Sequence, residues 1–79
     1  MSVFDAEEIV IEAISEQTGV DPTEYSMRTK LRGGREIRPK ELAAIISNIE
    51  RQLGKPIAHA VQQVHTIGEL IELVDDVGR

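Results

Sequence analysis

Apolar residues recur at helical spacing in four segments of the chain. In the first segment, from Val3 to Thr18, they form a broad face of the kind that an amphipathic helix buries. The members of this face are Phe4, Ile9, Val10, Ile11, Ala13 and Ile14. Gly19 follows as a stop signal, because glycine readily adopts the left-handed conformation that ends helices. The pattern predicts a first helix over residues 3–18.

A second apolar stripe begins shortly after Pro39, which suits the first turn of a helix because its missing N–H costs nothing there. The stripe repeats at i, i+3, i+4, i+7 and i+11, with the members Leu42, Ile45, Ile46, Ile49 and Leu53. Gly54 ends the pattern, and Pro56 lies just beyond it. These signals predict a second long helix.

The remaining pattern predicts a short helix or turn over residues 57–64 and a last helix after Thr66. Thr66 is expected to be an N-cap, and Glu69 completes a capping box. The last stripe consists of Ile67, Leu70, Ile71, Val74 and Val77. We therefore predict an all-α fold, a small four-helix bundle with three main helices and a short third helix, formed by one domain over residues 1–79.

Residues 20–38 lack helical periodicity and predict a long first loop. Asp21 and Pro22 have turn chemistry, and Gly33 and Gly34 allow backbone angles that other residues avoid. We expect four side chains to attach this loop to the core, namely Val20, Tyr25, Met27 and Leu31. A connection of this length in a small domain is often functional.

Composition excludes several classes of function. The chain has no cysteine, which rules out thiolate catalysis and cysteine-based zinc sites. Phe4 and Tyr25 are its only residues of the Phe, Tyr and Trp types, so base stacking on single-stranded nucleic acid is disfavoured. The opening residues, MSVFDAEEIVIE, carry acids where a signal peptide has a basic region, and no apolar run approaches the ~20 residues of a membrane span. We expect a cytoplasmic protein without a membrane span.

The net charge of −5 hides a strong asymmetry. Residues 28–40 hold six basic residues against one acid, Glu36, which gives a local charge of +5. The rest of the chain therefore carries −10. Nucleic acid as a partner is disfavoured by the acidic whole, but the basic stretch is a candidate binding surface.

Catalytic and metal chemistry find little support. His59 and His65 are six residues apart, a spacing that does not place them on one helical face, and neither lies in a metal-binding pattern. The carboxylates of the first and last helices fall on faces expected to be solvated. We therefore expect no metal, no catalytic residue and no enzymatic activity from this chain alone.

Arg32 and Arg35 flank Gly33 and Gly34 just before the second helix. Backbone N–H groups, the helix dipole and nearby guanidinium groups favour a bound phosphate or other anion. The spacing matches neither common nucleotide-binding motif. A flexible loop whose arginines face water is the alternative, and the sequence leaves both open.

The order of these features resembles the acyl carrier proteins and peptidyl carrier domains over nearly the whole chain. The resemblance is carried by the segments TGVDPTEYSMRTKL, ELAAIISNIERQLGKPI and VHTIGELIELV. It implies a carrier-type helical bundle. It also implies an Asp-Ser-Leu motif at the start of the second helix, whose serine carries 4′-phosphopantetheine.

This chain departs from the family at that motif. Aligning Glu41-Leu42 with the family's Glu-Leu pair places Ile37 on the motif leucine, Glu36 on the serine and Arg35 on the aspartate. Glutamate has no hydroxyl to esterify, and no serine or threonine lies between Lys30 and Ser47. We expect no phosphopantetheine on this chain, although a working carrier modified at an unexpected hydroxyl stays a second possibility.

The resemblance also implies an acidic recognition surface on the second helix, whereas here that helix begins among basic residues. We therefore expect a monomeric docking or regulatory module that binds a protein partner with an acidic or phosphate-bearing surface. The predicted partner-binding residues are Arg32, Gly33, Gly34, Arg35, Glu36, Ile37, Arg38 and Lys40. Anion binding by the Arg-Gly-Gly-Arg loop is a third hypothesis.

Overall fold

The computed structural model describes residues 5–78. It contains four α-helices: α1 (Ala6–Thr18), α2 (Pro39–Leu53), α3 (Ala58–Val61) and α4 (Ile67–Gly78). A single 3₁₀ turn, Pro22–Glu24, interrupts the long first connection. The predicted all-α bundle, with three main helices and a short third one, is confirmed. None of the helices in residues 5–78 is long and apolar enough to cross a membrane.

Helix α1 begins where Asp5 acts as its N-cap, because the Asp5 carboxylate accepts the Glu8 N–H at 3.1 Å. Val3 and Phe4, which the sequence analysis placed in this helix, lie outside the described residues. At the other end Gly19 adopts φ 73° and donates its N–H to the Ser15 carbonyl, so the predicted glycine stop is confirmed.

Helix α2 starts at Pro39, as predicted, with Arg38 as its N-cap residue. The Glu41 carboxylate accepts the Arg38 backbone N–H at 2.9 Å, which satisfies a donor at the helix start. Gly54, at φ 70°, ends the helix. The Arg38 side chain takes no part in this cap, so it stays available at the surface.

The core is aliphatic, and α1 is its centre because it packs against both α2 and α4. Each predicted stripe contributes, although Ile46, Leu53, Ile71 and Val77 are only partly buried. The fully or nearly fully buried side chains are Ala6, Val10, Ala13, Ile14, Leu31, Ile37, Leu42, Ile45, Ile49, Ile57, Val61, Val64, Ile67, Leu70 and Val74. Burial of this apolar surface is the main source of stability.

Carboxylates organise the starts of the last two helices. Glu50, on α2, accepts the N–H groups of Ile57 and Ala58 at 2.7 and 3.0 Å and so caps α3. At α4 the Thr66 hydroxyl accepts the Glu69 N–H, while Glu69 accepts the Thr66 N–H. This reciprocal pair is the predicted capping box.

Of the four side chains expected to attach the loop to the core, two do so. Leu31 is buried in the core, and the half-buried Tyr25 packs against it, with its hydroxyl hydrogen-bonded to that of Thr18. Val20 is half-buried, and its carbonyl accepts the Ser15 hydroxyl at 2.7 Å. The prediction for Met27 was wrong, because its side chain is 47% exposed. Met27 attaches the loop through its backbone instead.

Candidate docking site

Backbone hydrogen bonds hold the middle of the long loop against the start of α4. The Met27 carbonyl accepts the Gly68 N–H, the Thr29 carbonyl accepts the Ile67 N–H, and the Leu31 N–H donates to the His65 carbonyl, each at 2.9 Å. Lys30 and Thr66 form an isolated antiparallel bridge within this pairing. The loop therefore has a fixed path up to Leu31.

Arg32 continues this attachment through its side chain. Its guanidinium group donates to the carbonyl oxygens of Val64 at 2.8 Å and Val61 at 3.0 Å. These carbonyls lie at and just beyond the end of α3, and the Val61 carbonyl also accepts the Val64 N–H at 3.0 Å. Arg32 was predicted to bind a partner, but its guanidinium N–H groups donate hydrogen bonds within the fold.

Gly33 and Gly34 each suit their position for a different geometric reason. Gly33 has φ 77°, a conformation that strains any residue with a Cβ. At Gly34 the space is restricted, since an added Cβ would lie 2.8 Å from the Glu36 Oε1 atom and 3.3 Å from the Lys30 Cβ. The Glu36 side chain is exposed and folds back towards this glycine.

Ile37 is only 3% exposed and belongs to the core. As a predicted partner-binding residue it therefore offers little surface of its own. Together with Leu31 it fixes both ends of the segment that contains the two glycines.

An open apolar groove of about 600 Å³ lies between this segment and α2. Its volume falls within the range of ligand pockets. Residues 32–34 form one part of the lining, and the apolar members are Leu31, Ile37, Pro39, Leu42, Ala43 and Ile46. This groove was not predicted from the sequence, although Leu42 and Ile46 belong to the predicted stripe and the exposed Ala43 between them has a small side chain.

Three exposed cations adjoin the groove residues along the chain. Arg35 lies between Gly34 and Ile37, and Arg38 and Lys40 lie on either side of Pro39. Across residues 5–78 the side chains of Arg35, Arg38 and Lys40 make no hydrogen bond or ion pair. Their charges are therefore available to a partner.

The serine and threonine residues nearest in sequence lie outside this region. The Ser26 hydroxyl accepts the Arg28 N–H at 3.2 Å, and the Thr29 hydroxyl accepts the Ser26 N–H at 3.0 Å, so both stabilise the preceding turn. Ser47 is exposed on α2 but does not line the groove. None of the three stands at the start of α2, where the resemblance places the modified serine.

The perturbed carboxylates of the described region act as caps. Hydrogen bonds from the backbone N–H groups of Ile57 and Ala58 lower the pKa of Glu50. The His65 N–H chiefly lowers the pKa of Glu69, and the Thr23 N–H does the same for Asp21. A general acid needs the opposite shift. His59 and His65 are both exposed, and no group of three or more metal-ligating side chains occurs within residues 5–78.

Comparisons with protein-family models, with curated proteins and with solved structures found no match.

Proposed function

We propose that this chain is an acyl-carrier-like protein that carries no phosphopantetheine and serves as a docking or regulatory module around lipid, polyketide or peptide biosynthesis. The observation that carries the proposal is the set of three unpartnered cations, Arg35, Arg38 and Lys40, beside an apolar groove. Glu36 occupies the place that the resemblance assigns to the attachment serine.

Loss of covalent carriage follows from the chemistry of residue 36. Attachment requires an oxygen nucleophile that attacks the pyrophosphate of coenzyme A and becomes a phosphodiester. A carboxylate forms no such stable ester, and the hydroxyl groups of Ser26 and Thr29 accept backbone N–H groups within a turn that precedes the start of α2 by ten residues or more. This supports a protein that binds its partner through its surface and lacks the phosphopantetheine arm with its terminal thiol.

An acidic protein surface is the partner that the charges favour. Like charges brought together at an interface cost free energy, so the basic patches that bind acidic carrier surfaces are rejected here. A carboxylate-rich or phosphate-bearing surface gains from each of the three cations.

Capture from a lysate of the source cells tests the docking proposal. Immobilised protein should retain one or more acidic proteins, and a double variant, Arg35→Ala with Arg38→Ala, should lose most of that retention. Arg51→Ala, an exposed cation in the last turn of α2, is the matched control and should retain the same proteins. Equal retention by the double variant and the control contradicts the proposal.

The alternative of a working carrier draws on the overall resemblance alone, and modification of Ser26, Thr29 or Ser47 would support it. The anion-binding alternative loses one of its two guanidinium groups, because Arg32 is bonded to carbonyls of residues 61 and 64. Salt-sensitive phosphate binding that Arg35→Ala abolishes would support this alternative.

A further inference from the structure

The groove presents an apolar floor at the surface of a strongly charged protein. Leu31, Ile37 and Leu42 are at most 6% exposed and form its deep side, while Ala43 is exposed and Ile46 is half-buried. Apolar surface that stays open beside polar residues commonly marks an interaction site.

The charge around the groove selects among occupants. Residues 31–46, which span the groove lining, hold four basic residues and two acids, a local charge of +2. One acid, Glu41, accepts the Arg38 backbone N–H at the start of α2, and the other, Glu36, lies next to Arg35. A segment rich in Asp and Glu would therefore be attracted, whereas the same face of a second copy of this chain carries the same positive charge and would be repelled.

We propose that the groove receives aliphatic side chains from an acidic segment of the partner. This inference rests on the proposed docking function and adds to its charge attraction an apolar contact in the groove. The cations speed association and exclude wrong partners, while the buried aliphatic anchor supplies most of the affinity. Recognition then requires both acidic residues and an apolar anchor in one segment.

A pair of synthetic peptides tests this requirement. One is a Glu-rich peptide with two leucines four positions apart, and the other carries alanines at those two positions. Titrations followed by fluorescence anisotropy should show the leucine peptide binding at least about tenfold more tightly, because anchor burial of ~1.4 kcal/mol is a factor of ten. A third peptide with Gln in place of Glu should lose binding as salt-sensitive attraction is removed.

A variant that fills the groove tests whether the leucine side chains bind there. Ala43→Leu adds volume at an exposed groove position in the interior of α2, where leucine suits a helix nearly as well as alanine. It should abolish the preference for the leucine peptide and leave the weak binding of the alanine peptide unchanged. Ala58→Leu, at an exposed position outside the groove, is the control and should keep the preference.

The outcomes separate this inference from the docking function. Equal binding of the leucine and alanine peptides overturns the anchor and leaves charge-based docking to the capture experiment. Absence of binding by every peptide overturns the anchor too, while capture lost in the Arg35 and Arg38 double variant would still support docking. Saturable binding of dodecanoate but of no peptide, or dimerisation that Ala43→Leu abolishes, would assign the groove to another occupant and contradict the proposal.

Discussion

Residues 28–34 and residues 35–40 each hold three basic side chains, but the fold holds the two halves in different ways. In the first half, backbone pairing near Lys30 and the two hydrogen bonds of the Arg32 guanidinium fix the chain against α3 and α4. In the second half, Arg35, Arg38 and Lys40 extend without partners among residues 5–78. The Arg32 guanidinium therefore serves structure, whereas Arg35, Arg38 and Lys40 leave their charges exposed, as do Arg28 and Lys30 in the first half.

The largest effect is expected from Leu31→Ala in the first half. Leu31 is 1% exposed, and truncation of a buried leucine costs about 2–5 kcal/mol. Urea unfolding followed by circular dichroism measures the loss. Met27→Ala, four residues earlier with an exposed side chain, should stay within about 0.5 kcal/mol of the parent protein. Similar losses for both variants would mean that Leu31 does not anchor the loop.

Arg32→Ala and Arg35→Ala test the contrast between the two halves directly. Removal of Arg32 should cost about 1–2 kcal/mol of unfolding free energy, because two carbonyl oxygens lose charged donors. Removal of Arg35 should change stability by less than about 0.5 kcal/mol and should weaken partner capture. The reverse order of stability losses would refute the division of the basic stretch.

A smaller effect is expected from Gly68→Ala at the start of α4. The added Cβ would lie 3.0 Å from the Met27 carbonyl oxygen and 3.1 Å from the Met27 Cβ, which strains the pairing between loop and helix. Overpacking of about 1–3 kcal/mol is partly offset by the better helix propensity of alanine, about 1 kcal/mol. We expect a net loss of about 1 kcal/mol by urea unfolding.

Gly34→Ala is the matched comparison for that variant, because its closest contact is the mobile end of Glu36. Rotation of the glutamate relieves much of the conflict, so the loss should be smaller than for Gly68→Ala. A greater loss at residue 34 would show that the segment bearing the two glycines is held as tightly as the first half.

Lowering the pH should gradually remove the stability that the Glu50 and Glu69 caps give to α3 and α4, the helices against which residues 28–34 lie. The folded-state pKa values of Glu50 and Glu69 lie below the ordinary value of 4.5, so the unfolded chain takes up protons first as the pH falls. The stability from both caps is therefore present above about pH 4.5 and is lost as the pH falls through the folded-state values. Unfolding free energies from pH 7 to pH 3 should fall less steeply for the double variant Glu50→Gln and Glu69→Gln.

The different roles of the basic side chains in residues 28–34 and 35–40 could not be predicted from the sequence, although the helices could. Periodicity located α2 and α4, and local signals at Pro39, Gly54 and Thr66 set their ends, because caps and stripes depend on near neighbours. The contact of Arg32 with residues 61 and 64 joins positions about thirty apart, and no local pattern distinguishes it from Arg35. The groove was missed for the same reason, since it forms only when the loop lies against α2.

We propose that this helical bundle docks through its surface and carries no phosphopantetheine. Intact-mass measurement after incubation with coenzyme A and a broad-specificity phosphopantetheinyl transferase tests it most directly, with an ordinary acyl carrier protein as the positive control. We predict no added mass on this chain while the control is fully modified. A phosphopantetheine-sized increment would contradict the account, and fragment masses would then identify the residue that carries it.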